Sequence, residues 1–336
     1  MTLPKLIAIR LLTLPVLLLI LITLTFGLVA LLPGDPATAV AGTMASPADI
    51  AKVSAGLGLD QPIWQRYVQY IGHALTGDLG TSFFTNQSVS GELLRRLPAT
   101  LELVALSLVV AAGLGLALGI VGAYLRGTWV DRITRGVVTL MQSVPDFLLG
   151  LLLIFVVYFT FGLAPAPVGQ LGLESGGIDR VTGFVAIDTL IGGRFDLFLS
   201  HLHHLMLPVL ALGLVYSAFF GKVSRSVMAS AFASPQVEFA RACGLPERQV
   251  IRYAFLAARA PILTYGAILF GSLVGGAAIV ETIFSWQGAG QWALQGILRL
   301  DIPVIQGFIL AAGALTVAIY LLLDILVMIL DPRVRY

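Results

Sequence analysis

Residues 11–32 read LLTLPVLLLILITLTFGLVALL, which is 22 consecutive residues without a charged side chain. A helix of about 20 apolar residues crosses the hydrocarbon core of a bilayer. A secretory signal has an apolar region of only about 7–15 residues and ends at a small-residue cleavage site. This stretch instead stops at the sequence PGDP of residues 33–36. We therefore interpret residues 11–32 as a first transmembrane helix that is retained in the protein.

The rest of the chain has the same apolar character. Of its 336 residues, 58% are hydrophobic and 11% are charged, and the mean hydropathy is +0.95. A soluble domain carries about 25% charged residues, and so few charges cannot cover the surface of a water-soluble fold. The net charge of +2 is too small to indicate nucleic-acid binding, and the single cysteine, Cys243, excludes an internal disulfide.

Six stretches are long and apolar enough to cross a membrane. Because backbone groups cannot remain unpaired in hydrocarbon, each of them must be helical. The sequence therefore predicts an all-α integral membrane protein, a single transmembrane domain over residues 1–336, with spans near residues 11–32, 99–124, 133–161, 205–229, 262–284 and 305–330.

The basic residues predict the orientation of these spans, because Lys and Arg accumulate in cytoplasmic connections. With the amino terminus inside, thirteen Lys and Arg residues are cytoplasmic and seven are external. Both termini are then cytoplasmic, and the long loops at residues 33–98 and 162–204 are external. Amphipathic stretches such as residues 63–70 predict short interfacial helices in these loops, which either dock another protein or only cover the bundle.

The cytoplasmic connection at residues 224–260 contains a short helix signature, ASPQVEFARACGLP at residues 233–246. Ser234 is a suitable N-cap, Pro235 suits the first helical position, Glu238 complements the helix dipole, and Gly244 can end the helix in a left-handed conformation. The pattern predicts a two-turn helix. A short helix between two breakers is suited to insertion into a partner protein.

This segment resembles the "EAA…G" loop of the permeases of binding-protein-dependent ABC importers. Glu238, Ala240 and Gly244 have the spacing of that loop, although Phe239 replaces its middle alanine and no clear I-x-L-P follows. In that family the loop forms a coupling helix that sits in a cleft of the cytoplasmic ATPase. The resemblance therefore implies ATPase contact through Glu238, Phe239, Ala240, Arg241, Ala242 and Gly244.

Further motifs are similar to the peptide branch of these importers, in particular the B-type dipeptide and oligopeptide permease. They occur in the expected order along nearly the whole chain: LLPGDP (31–36), LGLDQP (57–62), GDLG (77–80), RLPATLEL (96–103), TGF (182–184) with IDT (187–189), ETIFSW (281–286) and LDPRVRY (330–336). The resemblance implies the transmembrane domain of a type I ABC importer in a bacterial cytoplasmic (inner) membrane.

The resemblance also implies a function, which is the one that the family performs. This chain would form half of a translocation pathway, without a cofactor of its own, beside a second homologous permease. Two ATPase subunits would bind ATP and Mg, and an external binding protein would deliver a dipeptide or short oligopeptide. Relatives also carry nickel chelates, glutathione, haem and oligosaccharides, so the substrate stays open.

Ser143, Pro145, Asp146 and Glu281 are the candidate pathway residues. Ionisable groups within a span are costly and usually face a partner or a water-filled cavity. Asp146 follows a proline well inside the third span, where it either contacts substrate or cavity water, solvates the helix break, or pairs with a partner subunit. Glu281 lies near a span end, as do Glu102 and Asp324, where water can solvate it, so a structural role is favoured for these three.

Two other patterns have alternative interpretations. His201, His203 and His204 are metal-ligand types, but we interpret them as lying just outside a span without a supporting second shell, and predict no metal site. The glycine stripes, Gly113, Gly115 and Gly119 on the second span and Gly271 and Gly275 on the fifth, allow close helix packing or a sliding interface.

The chain contains no G-x-x-x-x-G-K-[ST] sequence, so it is predicted not to bind ATP phosphates or to be an enzyme. Three other classes of function were weighed. A secondary transporter would show internal repeats with paired broken helices, and an intramembrane enzyme would show motifs such as H-E-x-x-H or G-x-S-x-G. A receptor or scaffold would need neither an interior acid nor an ATPase partner.

Overall fold

The computed structural model describes residues 3–31, 34–42, 44–172 and 178–330. In these ranges the chain forms thirteen α-helices and one π-helical segment, Ile154–Thr160, which continues α7. The α-helices are α1 (Leu3–Ala30), α2 (Pro36–Ala41), α3 (Pro47–Gly56), α4 (Ile63–Thr76), α5 (Val89–Tyr124), α6 (Trp129–Ser143), α7 (Asp146–Leu153), α8 (Val185–Ile191), α9 (Phe195–Phe232), α10 (Pro235–Ala242), α11 (Glu247–Ile283), α12 (Ala289–Arg299) and α13 (Ile302–Leu330).

Five of the described helices, α1, α5, α9, α11 and α13, are long and apolar enough to cross a membrane, and the bent pair of α6 and α7 raises the number to six if it is one span. The sequence predicted one third span near residues 133–161, with a helix break at Pro145. The structure turns by 94° between Trp129–Ser143 and Asp146–Thr160. Pro145 lacks an N–H and disfavours helical geometry for the residue before it, and Val144 is extended with φ −96° and ψ 121°.

The two halves of the bent pair nevertheless cross the bundle once. As residue numbers rise through α6 and α7, the numbers of the α9 residues that they contact fall, so the chain advances along α9 in one direction on both sides of the break. The contacts that establish this order are Asp131 with Arg225, Val138 beside Gly221, and Gly150 beside Ala211. A re-entrant loop would reverse this order. The third span is therefore one broken crossing.

Three of the helices begin well before the predicted spans. α5 begins at Val89, α9 at Phe195 and α11 at Glu247, because an apolar run marks where lipid contact ends rather than where backbone hydrogen bonding ends. Most of the connection at residues 224–260 is therefore helical. The histidines at positions 201, 203 and 204 lie within the first three turns of α9, ahead of the predicted span.

The loop at residues 33–98, which was predicted to be external, contains α2, α3 and α4, which confirms that short helices form there. Asp35 caps α2 by accepting a hydrogen bond from the backbone N–H of Ala37 at 3.0 Å, and Ser46 caps α3 through the N–H of Asp49 at 3.3 Å. The carboxyl-terminal motif LDPRVRY, from residue 331 onward, lies outside the described residues, as does the Asp324 side chain.

α9 is the central helix, and α5 packs along it through two of the predicted glycines. A Cβ added at Gly115 would lie 2.6 Å from the Ser217 carbonyl oxygen, and one at Gly119 would lie 2.6 Å from Ser224 Cβ. A Cβ at Gly271 would lie 3.0 Å from Thr316 Cγ2 of α13, whereas Gly113 and Gly275 have no such neighbour within 4 Å. The packing interpretation therefore holds for three of the five glycines.

We expect Gly119→Leu to lower the thermal unfolding midpoint of the detergent-solubilised protein, whereas Gly113→Leu on the same helix has little effect. The added Cβ at Gly119 would also lie 2.8 Å from the Arg225 backbone nitrogen, which cannot move without shifting α9. Overpacking of this kind costs about 1–3 kcal/mol or more. Equal midpoints for the two variants would show that the close α5–α9 contact is not needed.

Candidate functional site

α10 is held to the bundle by one face and is free on the other. Val237 and Ala240 are buried and belong to an apolar cluster with residues of α9 and α11. Phe239, by contrast, is 71% exposed although it is a large apolar residue. The exposed face also carries Glu238, Arg241 and Ala242. The predicted two-turn helix is thus confirmed, and the free face contains an aromatic side chain between charged groups.

The carboxyl end of α10 is fixed by a left-handed glycine. Gly244 has φ +72°, and its N–H donates to the Arg241 carbonyl at 2.9 Å while the Leu245 N–H donates to the Ala240 carbonyl at 3.2 Å. This pair of bonds is the Schellman arrangement. Gly244 therefore ends the helix as predicted.

The amino end of α10 differs from the prediction. Ser234 stands at the N-cap position but makes no side-chain cap, and its hydroxyl donates instead to the Ala231 carbonyl at 2.7 Å. Carbonyls in the last turn of a helix lack intrahelical partners, so Ser234 stabilises the end of α9. The side-chain cap predicted from sequence is wrong, although the helix boundary is right.

A cleft of about 990 Å³ opens beside α10, between this helix and the first turns of α11, with Phe239, Cys243, Tyr253 and Arg259 among its lining residues.

The guanidinium of Arg241 lies 5.9 Å from the centre of the Phe232 ring. This contact orients the basic side chain at the edge of the free face.

A bidentate ion pair joins α6 to α9 at the same end of the bundle. Arg225 donates from Nε to one Asp131 oxygen at 2.8 Å and from Nη2 to the other at 3.0 Å. The Asp131 side chain is buried, and the Gly127 N–H also donates to it at 3.1 Å. Sequence reasoning missed this pair, because the residues are 94 positions apart and only the helix register brings them together.

Asp146 lies at the break in the third span, where α7, α9 and α11 meet. Its carboxylate accepts a hydrogen bond from the Phe147 N–H at 2.8 Å, and the hydroxyl of Tyr216 donates to the Ser272 carbonyl at 3.0 Å. A Cβ added at Gly276 would lie 2.7 Å from the Tyr216 hydroxyl and 3.1 Å from Asp146 Oδ2. Only glycine leaves room for both polar groups here.

Two residues that precede Asp146 in the sequence are exposed. Ser143 and Pro145 are exposed, and Asp146 is half-buried. The Ser143 hydroxyl donates to the Leu140 carbonyl at 2.7 Å, so it satisfies the end of α6. The three predicted residues are thus brought together at the bend, about midway along the part of the bundle that α9 spans.

Glu281 is separate from this group. It is completely buried, accepts a hydrogen bond from the Thr100 hydroxyl at 2.5 Å and another from the Gln291 N–H at 2.7 Å. The Ala289 N–H donates to Thr100 at 2.9 Å. The expectation that water solvates Glu281 at a span end is wrong, because the turn leading into α12 folds over it. Its carboxylate faces packed protein rather than an open surface.

Glu102 was also expected to be solvated and is instead buried against His201, whose Nε2 lies 3.0 Å from its carboxylate. His201 Nδ1 lies 2.9 Å from the Gln170 carbonyl. His203 and His204 approach the Leu163 and Ser200 carbonyls at 3.2 and 2.8 Å. The three rings thus use separate backbone partners, and no group of three potential metal ligands occurs among the described residues.

The motif at residues 182–189 folds into a compact turn on Asp188. This carboxylate accepts hydrogen bonds from the backbone N–H and hydroxyl of Thr182, both at 2.7 Å, and from the Gly183 N–H at 2.9 Å. Burial by itself would raise the pKa of Asp188, but these hydrogen bonds outweigh it and hold the pKa below its usual range. The motif therefore has a structural role at the start of α8.

Comparison with known proteins agrees with this architecture. Residues 115–336 match the family described as the binding-protein-dependent transport system inner membrane component, and residues 3–104 match the corresponding N-terminal family. The di/tripeptide transport system permease DppB of Pseudomonas aeruginosa is 38% identical over 315 residues, which is 93% of each chain. The dipeptide permease DppB of Escherichia coli K12 is 35% identical over 319 residues, also 93% of each chain.

A chain of a solved amino acid ABC transporter with histidines is similar at 17% identity, with a TM-score of 0.47 over 73% of this chain and 95% of that chain. The sequence matches cover the bundle, the broken third span and α10. This chain therefore belongs to the family of inner-membrane permease components of binding-protein-dependent ABC transport systems.

Proposed function

We propose that this chain forms half of the transport pathway of an ATP-driven importer of dipeptides or short oligopeptides. The substrate class is supported by the two relatives, which are named as di/tripeptide and dipeptide permeases. The alternative is an importer of the same architecture that transports a nickel chelate, glutathione, haem or an oligosaccharide. The partners are a second homologous permease, two ATPase subunits with ATP and Mg, and an external binding protein.

One observation carries the coupling part of this proposal: α10 is anchored by Val237 and Ala240 while Phe239 is exposed. Tyr253 and Leu256, 50% and 40% exposed, line the same cleft as Phe239, and an exposed apolar patch with a polar rim is typical of a surface that a partner covers. The residues proposed to contact the ATPase are Glu238, Phe239, Arg241 and Ala242, with Ala240 and Gly244 shaping the helix. ATP binding would then shift the conformational equilibrium of the bundle through α10.

The proposed orientation places α10 in the cytoplasm. Many of the basic residues lie near this end of the bundle, at the α5–α6 connection and along α9 to α11, and Lys and Arg favour the cytoplasmic side. Both termini are then cytoplasmic. Ser143, Pro145 and Asp146 are proposed to line the pathway. Glu281 is proposed to stabilise the packing of the helices around the pathway without being exposed to it.

The test is reconstitution of the chain with the permease, ATPases and binding protein encoded beside it. We expect two ATPase subunits to co-purify and radiolabelled Ala-Ala to enter proteoliposomes only when ATP is present on the α10 side. Competition with unlabelled peptides, nickel chelates, glutathione, haem and oligosaccharides ranks the substrates. Failure to recover any ATPase, or uptake that continues on an ion gradient after ATP is depleted, would rule out the importer and favour a secondary transporter.

A further inference from the structure

The central helix α9 has an open row of side chains in the second half of its length. Tyr216, Phe219 and Lys222 follow each other at intervals of three residues, which makes them neighbours on the helix surface. Phe219 is 38% exposed and Lys222 is exposed. α9 is otherwise the most enclosed of the candidate spans, with 67% of its apolar window buried. The row is therefore an opening in a packed helix.

Lys222 is the unusual member of this row. It lies ten residues before the end of α9, and among the described residues it makes no ion pair. The nearby Arg225 is already bound to Asp131 at 2.8 Å. A lysine exposed within a spanning helix is costly against lipid, so this side of α9 faces water. A cavity of about 230 Å³ between α6 and α9 has Lys222, Arg135 and Gln142 in its lining.

The other end of the row carries the opposite charge. Asp146 lies beside Tyr216, since both would contact a Cβ on Gly276. Between Tyr216 and Lys222 the helix rises by about 9 Å, at 1.5 Å per residue. A fully extended dipeptide spans at most about 7 Å and a tripeptide about 10 Å. Along the helix axis, the α9 position beside Asp146 and the position of Lys222 are therefore separated by about the length of a very short peptide.

From this match we infer that the row is a two-ended site for a zwitterionic di- or tripeptide. The Asp146 carboxylate accepts hydrogen bonds from the N-terminal ammonium group, Lys222 donates to the C-terminal carboxylate, and Phe219 packs against the peptide between them. In a longer peptide, one of the two charged termini would lie too far from Asp146 or Lys222 to bind it. This inference rests on the proposed function, because it assigns the part of the importer pathway that this chain would contribute.

The test compares three probes in the reconstituted importer: Ala-Ala, Ala-Ala amide, which lacks the terminal carboxylate, and N-acetyl-Ala-Ala, which lacks the ammonium group. We expect Lys222→Gln to lower Ala-Ala uptake about tenfold more than Ala-Ala amide uptake, as for the loss of one charge-assisted hydrogen bond. Asp146→Asn should show the converse selectivity, acting more on Ala-Ala than on N-acetyl-Ala-Ala. Lys222→Arg should retain most of the wild-type preference.

Lys52→Gln is the matched control, because Lys52 is an exposed lysine on α3, far along the chain from the row. Contributions of the binding protein cancel when each variant is compared with wild type for the same pair of probes. If the binding protein rejects the blocked probes, equilibrium dialysis of the labelled probes against the purified permease–ATPase complex gives the same ratios. Unchanged ratios in Lys222→Gln and Asp146→Asn overturn the two-ended site and leave the importer intact, whereas no ATP-dependent uptake by wild type overturns both.

Discussion

Phe239→Asp is expected to reduce ATP-driven peptide uptake at least about thirtyfold while the chain itself stays folded. Phe239 is 71% exposed, so its replacement removes little packing within the subunit. A central apolar contact in an interface is typically worth about 2 kcal/mol or more, and a carboxylate buried there without a partner costs additional free energy. The measurement is the amount of ATPase that co-purifies with the permease, together with uptake by proteoliposomes.

Gln249→Asp is the matched control for this variant. Gln249 is exposed in the first turns of α11, so it places the same new charge at the same end of the bundle but outside α10. We expect its ATPase content and uptake to stay near wild type. If Phe239→Asp retained full ATPase content and uptake, α10 would not be the contact that transmits ATP binding.

The second large effect is expected at the end of the bundle opposite α10. Gly288→Ala should lower the thermal unfolding midpoint strongly, because a Cβ at this position would lie 2.5 Å from Glu281 Cδ. The displaced carboxylate would lose the Thr100 hydroxyl and the Gln291 N–H, both of which it holds in a fully buried position. A buried polar group that loses its hydrogen-bond partners typically costs about 1–3 kcal/mol, and more when it is charged, which is a large share of the net stability of a protein.

A double-mutant cycle separates this mechanism from a simple clash. Glu281→Ala should destabilise the wild type by several kcal/mol but add much less in the Gly288→Ala background, since both changes disrupt one network. Gly136→Ala provides a control, because nothing lies within 4 Å of a Cβ there. Additive effects of Glu281→Ala and Gly288→Ala would show that the two residues act independently.

The bundle and α10 could be predicted because their signals are local. Hydropathy marks the residues that meet lipid, and the short helix is defined by Pro235 at its start and Gly244 at its end. The break at Pro145 was also visible in the sequence. Its angle of 94° was not, because that angle depends on how α7 packs against α9 and α11.

The buried polar pairs could not be predicted for a related reason. Glu102 meets His201, and Asp131 meets Arg225, only because α9 begins well outside its apolar run and continues without interruption past both contacts. Hydropathy does not indicate where a helix begins or ends outside the lipid. Hydropathy also does not define which faces of two distant helices meet, so Tyr216 gave no signal of its position beside Asp146.

The short connections on either side of α10 have a mechanical consequence. Only residues 233–234 separate it from α9 and only residues 243–246 from α11, so a force on α10 moves the ends of both long helices together. These helices contain 38 and 37 residues, which corresponds to lengths of about 55 Å. A tilt of about 5° imposed at one end displaces the other end by about 5 Å, at 1.5 Å of rise per residue. A small rotation of α10 therefore becomes a movement of more than a residue's length at the opposite end of the bundle.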